Sequence, residues 1–279
     1  MHLRRFACAA FDLDGTLLDA HSQLSPRTKA VMAQLAQAGI PVVVASGRPF
    51  STIPREVLAL DAVRYVITGN GVRIYDKTTG RDVYHCSLKP QTMEEILAVT
   101  RYYPVGYEIF IAGQAFANRS YLNNPFAFGV RDGSFHYLLS TRQPVDDVAA
   151  FVRTRAGEVD SLGLSIADQA LKGQLWRRLE DEVEGIYVTS SLPRLIEVAD
   201  SQAGKGAALA VVLERLGLDS DGLVAFGDAD NDLGMLQFAG LGVAMENGAS
   251  HLKEAADRIA PRHDDDGVAQ ILEELMKEC

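Results

Sequence analysis

The sequence predicts an α/β fold built on a mainly parallel sheet with helices on both faces, and three observations support this prediction. Apolar strands alternate with helices at the start of the chain, and the same alternation returns near its end. Each strand is a continuous run of apolar, often β-branched residues, as expected when helices cover both faces of a sheet. The chain has 279 residues, which suits two domains or one domain with a large insertion.

The first part of the chain contains three strands separated by helices. Its first helix has clear end signals, because Ser25 can cap it, Pro26 suits its first turn and Gly39 can end it. The predicted elements are strands at 6–11, 41–47 and 64–71 and helices at 25–39 and 52–59.

The last part of the chain repeats this pattern. Its predicted elements are helices at 205–216 and 267–278 and strands at 222–228 and 241–245. Together the two parts predict a Rossmann-like parallel sheet as the core of the protein.

Between these parts lies a segment with a different pattern. Two strands are joined through Ala112 and Gly113, and further helices and strands follow them. We assign residues 83–192 to this insertion and residues 1–82 and 193–279 to the core. The insertion is long enough to form an independent α/β domain.

Polar residues follow several core strands at their carboxyl ends. Asp12, Ser46 and Asp228 each follow an apolar run, and the pair Gly69 and Asn70 ends another. Open parallel sheets bind ligands at this edge. Residues far apart in sequence are therefore expected to meet in one crevice.

Two aspartates end the first strand, in the stretch FDLDGT. Residues two apart in a strand point the same way, so Asp12 and Asp14 are expected to share a face. Two such charges are costly unless a cation lies between them or one carboxyl keeps its proton. A carboxylate here could act as a nucleophile beside an acid and base. A strand-end turn with aspartates as backbone caps is the alternative.

Composition narrows the classes of partner. The formal net charge of −10 disfavours nucleic acid and anionic membranes, so a small anionic substrate needs a local positive pocket or a metal ion. Cys8, Cys86 and Cys279 show no paired spacing and predict neither a disulfide framework nor a zinc site. Arg4 and Arg5 precede too short an apolar run for a signal peptide, and no stretch reaches membrane-spanning length. We expect a cytoplasmic protein.

Four motifs resemble those of the haloacid dehalogenase superfamily and occur in the same order. They are DLDGT at 12–16, SGR at 46–48, Lys205 at the start of a helix, and GDADND at 227–232. The large insertion, together with TGNG at 68–71 and DGVA at 266–269, resembles the Cof-type phosphatases with an α/β cap of the C2 type, subclass IIB. The resemblance implies a Rossmann-like catalytic core with an inserted cap domain. It also implies Mg²⁺-dependent hydrolysis of phosphate monoesters through an aspartyl-phosphate.

The resemblance implies a role for each aspartate of the motifs. Asp12 would be the nucleophile, and Asp14 the general acid and base. Asp12, Asp228 and the backbone carbonyl of Asp14 would bind Mg²⁺ directly. Asp232 would support the metal site without being a direct ligand. A calcium-type loop is the alternative for GDADND, but the further ligands of an EF-hand are missing. We expect Asp230 to cap a helix.

The other motif residues would bind substrate. The implied substrate-binding residues are Thr16, Ser46, Gly47, Arg48, Asn70, Lys205 and Asn231. Lys205 lies between glycines at the start of a helix, and a helix N-terminus favours anions. Arg48 could instead form a structural salt bridge. Asn70, between two glycines, could instead be a turn residue with left-handed backbone geometry.

Two other functions are compatible with these core residues. A phosphotransferase or phosphomutase would pass the phosphoryl group to a sugar hydroxyl instead of water. A noncatalytic phospho-receiver module would also form an aspartyl-phosphate, but it has no need for an acid–base group such as Asp14. We expect a small phosphorylated metabolite, such as a sugar phosphate, as substrate; its identity and the oligomeric state stay open. The insertion residues that could line its pocket, or could pack the cap's own sheet, are Tyr107, Glu108, Phe110, Arg119 and Tyr121.

Overall fold

The computed structural model describes residues 6–277, without the side chains of residues 132 and 133. Arg4, Arg5 and Cys279, which entered the predictions on targeting and on cysteines, lie outside the described residues. The strands are β1 (Cys8–Phe11), β2 (Val42–Ala45), β3 (Val63–Thr68), β4 (Arg73–Asp76), β5 (Arg81–His85), β6 (Gly106–Ile111), β7 (Gln114–Asn118), β8 (Gln143–Val145), β9 (Val159–Ser165), β10 (Ile186–Thr189), β11 (Leu195–Asp200), β12 (Leu223–Gly227), β13 (Leu241–Met245) and β14 (Arg258–Ala260). The helices are α1 (Pro26–Gln37), α2 (Arg55–Leu58), α3 (Pro90–Thr100), α4 (Arg119–Asn123), α5 (Asp132–Thr141), α6 (Val148–Thr154), α7 (Gln169–Glu182), α8 (Lys205–Leu216), α9 (Leu233–Phe238), α10 (Ser250–Ala255) and α11 (Gly267–Lys277).

The described residues form two compact units. The first unit comprises residues 6–48, 53–85 and 204–277, and the second comprises residues 49–52 and 86–203. Each unit has its own sheet and its own apolar core. The predicted fold class, a parallel-sheet core with an inserted α/β region, is confirmed.

The first unit contains an eight-stranded sheet in the order β14-β13-β12-β1-β2-β3-β4-β5. The strands from β14 to β3 are parallel, and β4 and β5 are antiparallel to their neighbours. Cys8 and Ala10 of β1 pack into a cluster that includes Leu209 of α8, while Ala9 and Phe11 point to the opposite face and are equally buried. Both faces of the sheet are therefore covered, which explains the unbroken apolar runs.

Local signals explain where α1 begins and ends. The Ser25 side chain accepts a hydrogen bond from the Thr28 N–H, and Pro26 occupies the first helical position, as predicted. Gly39 follows the helix with φ +70°, the left-handed backbone that glycine adopts without strain. The antiparallel pair β4 and β5 was not predicted, because its strands are short and rich in charged residues.

The second unit contains a six-stranded sheet in the order β10-β11-β9-β6-β7-β8. It is antiparallel except for the pairing of β7 with β8. Helices α3, α6 and α7 supply apolar residues to its core, including Leu175 and Leu179, while Trp176 packs against its margin. The apolar stripe of α7 is therefore core packing.

The boundaries of the second unit differ from the predicted insertion of residues 83–192. Residues 195–200 fall within the part assigned to the core, but they form β11, which pairs with β9 and β10 in the sheet of the second unit. The core therefore resumes at Gly204, not at residue 193. At the other boundary, β5 pairs with β4 of the first sheet, so residues 83–85 belong to the core. Backbone pairing decides both differences, and composition does not report it.

Within residues 6–277, no helix combines the length and the apolar character that a membrane span requires.

Candidate active site

The carboxyl ends of neighbouring strands bring the predicted residues together. Strand β1 pairs with β12 on one side and β2 on the other. Asp12, Asp228 and Ser46 follow these three strands directly, so they lie at one edge of the sheet. Lys205 is the first residue of α8. The predicted convergence of distant segments is present.

Lys205 connects two of the aspartates. Its Nζ donates to the Oδ1 of Asp12 and to the Oδ1 of Asp232, both at 2.6 Å. The residue is only 1% exposed. Burial opposes the charge of the ammonium group, but the two carboxylates outweigh it and raise the pKa of Lys205. We therefore treat Lys205 as a buried cation.

A close contact between backbones sets the position of Lys205. Asn70 carries a left-handed φ of 58°, and its carbonyl accepts the Gly204 N–H at 2.8 Å. A Cβ on Gly71 would lie 2.3 Å from the Gly204 carbonyl oxygen. Only glycine at position 71 permits this approach, and the turn at residues 69–71 thereby fixes the start of α8.

Asp232 orders the loop that carries Asp228. Its Oδ2 accepts the N–H groups of Asp228 at 2.9 Å and Ala229 at 3.0 Å, and its Oδ1 is bound by Lys205. Both carboxylate oxygens of Asp232 are thus occupied by hydrogen bonds. Asp230 was predicted to cap a helix, and this is wrong: its carboxylate contacts His251 at 2.9 Å, while Asp232 takes the capping bonds.

Three carboxylates form a group that could hold a metal ion. Asp12, Asp228 and Asp232 each offer an oxygen, and these oxygens lie within 4.8 Å of one another. Burial, followed by the negative charge of Asp232, raises the pKa of Asp228 to about 6. Burial also raises the pKa of Asp12, and the Lys205 ammonium partly opposes that rise. Buried carboxylate oxygens in excess of nearby positive charge fit a hard divalent cation such as Mg²⁺.

Thr16 and Gly15 bring the turn after β1 against Asp228. The Thr16 hydroxyl donates to the Asp228 Oδ1 at 3.0 Å. Gly15 has φ +82°, and a Cβ there would lie 2.5 Å from the Asp228 Oδ2. The Thr16 side chain therefore orients a carboxylate of the candidate metal group, although the prediction gave it a phosphoryl group as partner.

Asp14 and Arg48 form a two-pronged ion pair. The Arg48 Nε donates to the Asp14 Oδ2 at 2.7 Å, and its Nη2 donates to Oδ1 at 2.5 Å. The Asp14 side chain is 53% exposed and that of Arg48 is 14% exposed. Asp14 thus stands apart from the buried carboxylates, where solvent and solutes reach it. The salt bridge expected as the alternative for Arg48 is present.

The loop after β2 holds the remaining motif residues. The Ser46 hydroxyl accepts the Arg48 N–H at 3.1 Å, so Gly47 lies within a tight bend between the two residues. Ser46 is buried, and its carbonyl accepts the Asn70 N–H at 3.1 Å. This places the loop beside the turn at residues 69–71.

Two buried asparagines join the motif segments. The Asn231 Nδ2 donates to the Asn70 Oδ1 at 2.9 Å, and both residues are at least nine-tenths buried. The left-handed turn expected as the alternative for Asn70 is present. Among the described side-chain atoms, the Asn231 Oδ1 is buried and has no hydrogen-bond partner, so it can accept one more donor.

Sequence reasoning missed Asn247, which contacts the same turn. Its Nδ2 donates to the Gly15 carbonyl at 2.8 Å. Asn247 follows the apolar strand β13, and a polar residue after a buried strand was the signal that identified Asp12 and Asp228. The same signal could have identified Asn247.

The insertion residues considered for a substrate pocket have partners inside the second unit. Glu108 and Tyr121 are buried, and Glu108 pairs with Arg142 at 2.6 Å. The hydroxyl of Tyr107 donates to Thr100, Phe110 lies under Arg142, and Arg119 pairs with Asp146. Packing within the unit therefore accounts for these side chains.

Known proteins are similar in sequence to this chain over most of its length. The sequence profile of the haloacid dehalogenase-like hydrolases matches residues 9–272. The chain is 31% identical to an HMP-PP phosphatase of Klebsiella pneumoniae, over 88% of this chain and 86% of that protein. It is 28% identical to the 5-amino-6-(5-phospho-D-ribitylamino)uracil phosphatase YitU of Bacillus subtilis, over 95% of this chain and 96% of that protein.

A solved structure extends the likeness to three dimensions. A haloacid dehalogenase-like hydrolase from B. subtilis superposes with a TM-score of 0.81 at 26% identity, over 96% of this chain and 99% of that chain. The predicted resemblance is thereby confirmed, and the chain belongs to the haloacid dehalogenase-like hydrolase family.

Proposed function

We propose that this protein is a Mg²⁺-dependent phosphatase that hydrolyses small phosphate monoesters through an aspartyl-phosphate on Asp12. The observation that carries this proposal is the 2.6 Å contact between the Lys205 Nζ and the Asp12 Oδ1, next to the carboxylates of Asp228 and Asp232. It supports a carboxylate nucleophile because a fixed ammonium group favours the ionised form of Asp12 and holds its carboxylate in one orientation.

The first chemical step forms a bond from Asp12 to phosphorus. As the P–O bond to the alcohol breaks, Asp14 gives its proton to the leaving oxygen. In the second step Asp14 takes a proton from water, whose oxygen attacks phosphorus and releases phosphate and free Asp12. The exposed position of Asp14, two residues from the nucleophile, suits a group that meets both alcohol and water. Arg48 fixes the direction of this carboxylate.

Asp12 and Asp228 would hold Mg²⁺, together with the backbone carbonyl of Asp14, and the ion would offset charge on the phosphoryl oxygens. Asp232 would act through its hydrogen bonds to Lys205 and to the Asp228 N–H. Lys205 and the hydroxyl of Ser46 would stabilise negative charge near the phosphoryl group, and the Thr16 hydroxyl would orient Asp228. Gly47 and Asn70 would shape the loop behind it, and Asn231 would offer its unpartnered Oδ1 to a substrate donor.

The substrate class follows from the relatives and from the charge of the chain. As their names state, the two curated relatives act on HMP-PP and on 5-amino-6-(5-phospho-D-ribitylamino)uracil. Both are small phosphorylated metabolites. With a net charge of −10, the chain disfavours nucleic acid as a substrate. We therefore propose a small phosphorylated metabolite, with sugar phosphates among the candidates.

The test is a phosphate-release screen with purified protein and Mg²⁺. The panel includes sugar phosphates, HMP-PP and 5-amino-6-(5-phospho-D-ribitylamino)uracil, and each reaction is repeated with Asp12→Asn. We expect release from at least one ester by the parent and at least about 10³-fold less by the variant. Added sugar acceptors, with product analysis, separate hydrolysis from phosphoryl transfer. A folded parent that releases no phosphate from any ester would contradict the proposal.

A further inference from the structure

The Asn247 side chain joins two segments of the first unit by hydrogen bonds. Its Nδ2 donates to the Gly15 carbonyl at 2.8 Å, and its Oδ1 accepts the His263 N–H at 3.0 Å. Both ends of one amide are therefore used. Through this side chain the turn after β1, which carries Asp14, is tied to the segment after β14.

The turn that carries Asn247 is itself fixed to the loop of Asp228. The Ala249 N–H donates to the Asp228 carbonyl at 3.0 Å. A Cβ on Gly248 would lie 2.8 Å from that same oxygen, so glycine permits the close approach. The Glu246 N–H donates to the Ala260 carbonyl at 2.9 Å. These contacts hold residues 246–249, and with them Asn247, in place beside the loop of Asp228.

Two other carbonyls of the catalytic turn, the turn after β1 at residues 12–18, are bound from within the turn. The Leu17 N–H donates to the Asp12 carbonyl at 3.3 Å, and the Leu18 N–H donates to the Leu13 carbonyl at 2.9 Å. The Gly15 carbonyl, by contrast, is bound from outside the turn by Asn247. Gly15 adjoins Asp14 and has a left-handed φ of 82°, so this bond fixes the Gly15–Thr16 peptide, one residue beyond the acid–base residue.

We propose that Asn247 is a positioning residue for the proton transfer of Asp14. This inference rests on the proposed function, since it needs Asp14 as the acid. Asn247 touches no reacting atom; it holds the Gly15 peptide, and the peptide sets where the Asp14 carboxyl meets the leaving oxygen. A misplacement of about 1 Å at a reacting group can cost about 10²-fold in rate.

Leaving-group dependence distinguishes this role from general support of the fold. Phenyl phosphate needs a proton on its leaving oxygen, whereas 2,4-dinitrophenyl phosphate departs as a stable anion and needs none. The two esters otherwise share the aryl ring and the phosphoryl group. Loss of a positioning bond to the acid should therefore lower kcat/KM for phenyl phosphate and spare the dinitrophenyl ester.

The experiment measures kcat/KM for both esters in the parent, Asn247→Ala and Asn247→Asp. The aspartate variant keeps an oxygen for the His263 N–H but cannot donate to the Gly15 carbonyl, so it tests the bond even if the alanine variant unfolds. For each variant we expect a loss of about 10- to 100-fold on phenyl phosphate and less than about threefold on the dinitrophenyl ester. Thermal unfolding reports the folded fraction.

Gln270→Ala is the matched control. The Gln270 Nε2 also donates to a backbone carbonyl, that of Asp265, at 2.6 Å, but outside the catalytic turn. Both esters should react with this variant within about twofold of the parent. Equal losses on the two esters for the Asn247 variants, or no loss at all, would overturn the positioning role and leave the proposed function intact. A folded parent inactive on both aryl esters and on every ester of the metabolite screen would overturn both.

Discussion

Among the described residues, each unit contains a cation that is buried against carboxylates, and the two sites differ in their balance of charge. In the first unit, Lys205 contacts Asp12 and Asp232, and the carboxylate of Asp228 lies in the same group. In the second unit, Arg142 pairs with Glu108, and their side chains are 8% and 3% exposed. The site of Lys205 therefore has three carboxylates and one cation, whereas the site of Arg142 has one carboxylate and one cation.

Neighbouring side chains provide further hydrogen bonds and ring contacts to the buried pair of Arg142 and Glu108. The Tyr121 hydroxyl donates to the Glu108 Oε1 at 3.3 Å, and the guanidinium lies over the rings of Phe110 and Tyr137. Burial opposes the charge of Arg142, but the Glu108 carboxylate outweighs it and raises the pKa of the arginine. A satisfied pair of this kind holds a structure together. The first site keeps excess negative charge, which a divalent cation can offset.

The largest expected effect is that of Asp12→Asn, which should reduce activity strongly but change stability little. Asp12→Asn should lower kcat/KM by at least about 10³-fold, because the amide cannot attack phosphorus. Its free energy of unfolding should stay within about 1 kcal/mol of the parent, since Asp232 still pairs with Lys205 and one buried negative charge is gone. Phosphate release and urea unfolding measure the two quantities. If Asp12→Asn instead lowered stability as strongly as activity, the Lys205 site would be a structural site like that of Arg142.

The second effect is the opposite one: Glu108→Gln, beside Arg142, should reduce stability but change activity little. Glu108→Gln should lower the free energy of unfolding by about 3 kcal/mol, because it leaves a buried guanidinium without its carboxylate. The folded enzyme should keep kcat within about twofold of the parent. The control is the double variant Glu108→Leu with Arg142→Met, which removes both charges and should be within about 1 kcal/mol of the parent. Equal losses in the single and double variants would contradict a role for charge pairing.

These two sites also differ in how far the sequence predicts them. Lys205, Asp12 and Asp228 are recognisable because each begins a helix or follows an apolar strand, and parallel strands bring such positions to one edge. Glu108 occupies an apolar strand in which nothing marks its partner. Arg142 lies 34 residues further along. Pairings of this kind arise from tertiary packing, and a linear pattern does not encode them.

The fold shows the same division. Parallel strands such as β1 and β12 were predicted because both faces are buried and the whole run is apolar. Residues 195–200 fall within the part predicted as core, but they form β11, which pairs in the other sheet, and no local sequence signal marks this pairing. Asp232, rather than Asp230, takes the capping bonds of its loop, because only the folded loop decides which carboxylate faces the N–H groups.

The third effect tests the excess charge directly with Mg²⁺. At about 100 times its dissociation constant, a ligand of the native state adds about 2.7 kcal/mol of stability, so Mg²⁺ should raise the Tm of the parent above its value in EDTA. Asp228→Asn should abolish most of this rise. Asp230→Asn is the control, since Asp230 lies in the same loop with a half-exposed side chain, and it should keep the full rise. An Asp228→Asn variant that responds to Mg²⁺ like the parent would exclude Asp228 as a ligand.

The smallest effect compares one buried hydroxyl from each unit. Thr16 donates to the Asp228 carboxylate at 3.0 Å, whereas Thr100 donates to the Ile96 carbonyl at 2.7 Å within α3. Valine has nearly the same shape and removes the hydroxyl in either place. A hydrogen bond of this kind contributes about 1 kcal/mol, so Thr16→Val should lower kcat/KM about fivefold, and Thr100→Val should lower unfolding free energy by about 1 kcal/mol without changing kcat/KM. If Thr16→Val instead changes stability alone, the Thr16 hydroxyl serves the fold, and its orientation of Asp228 has no part in the reaction.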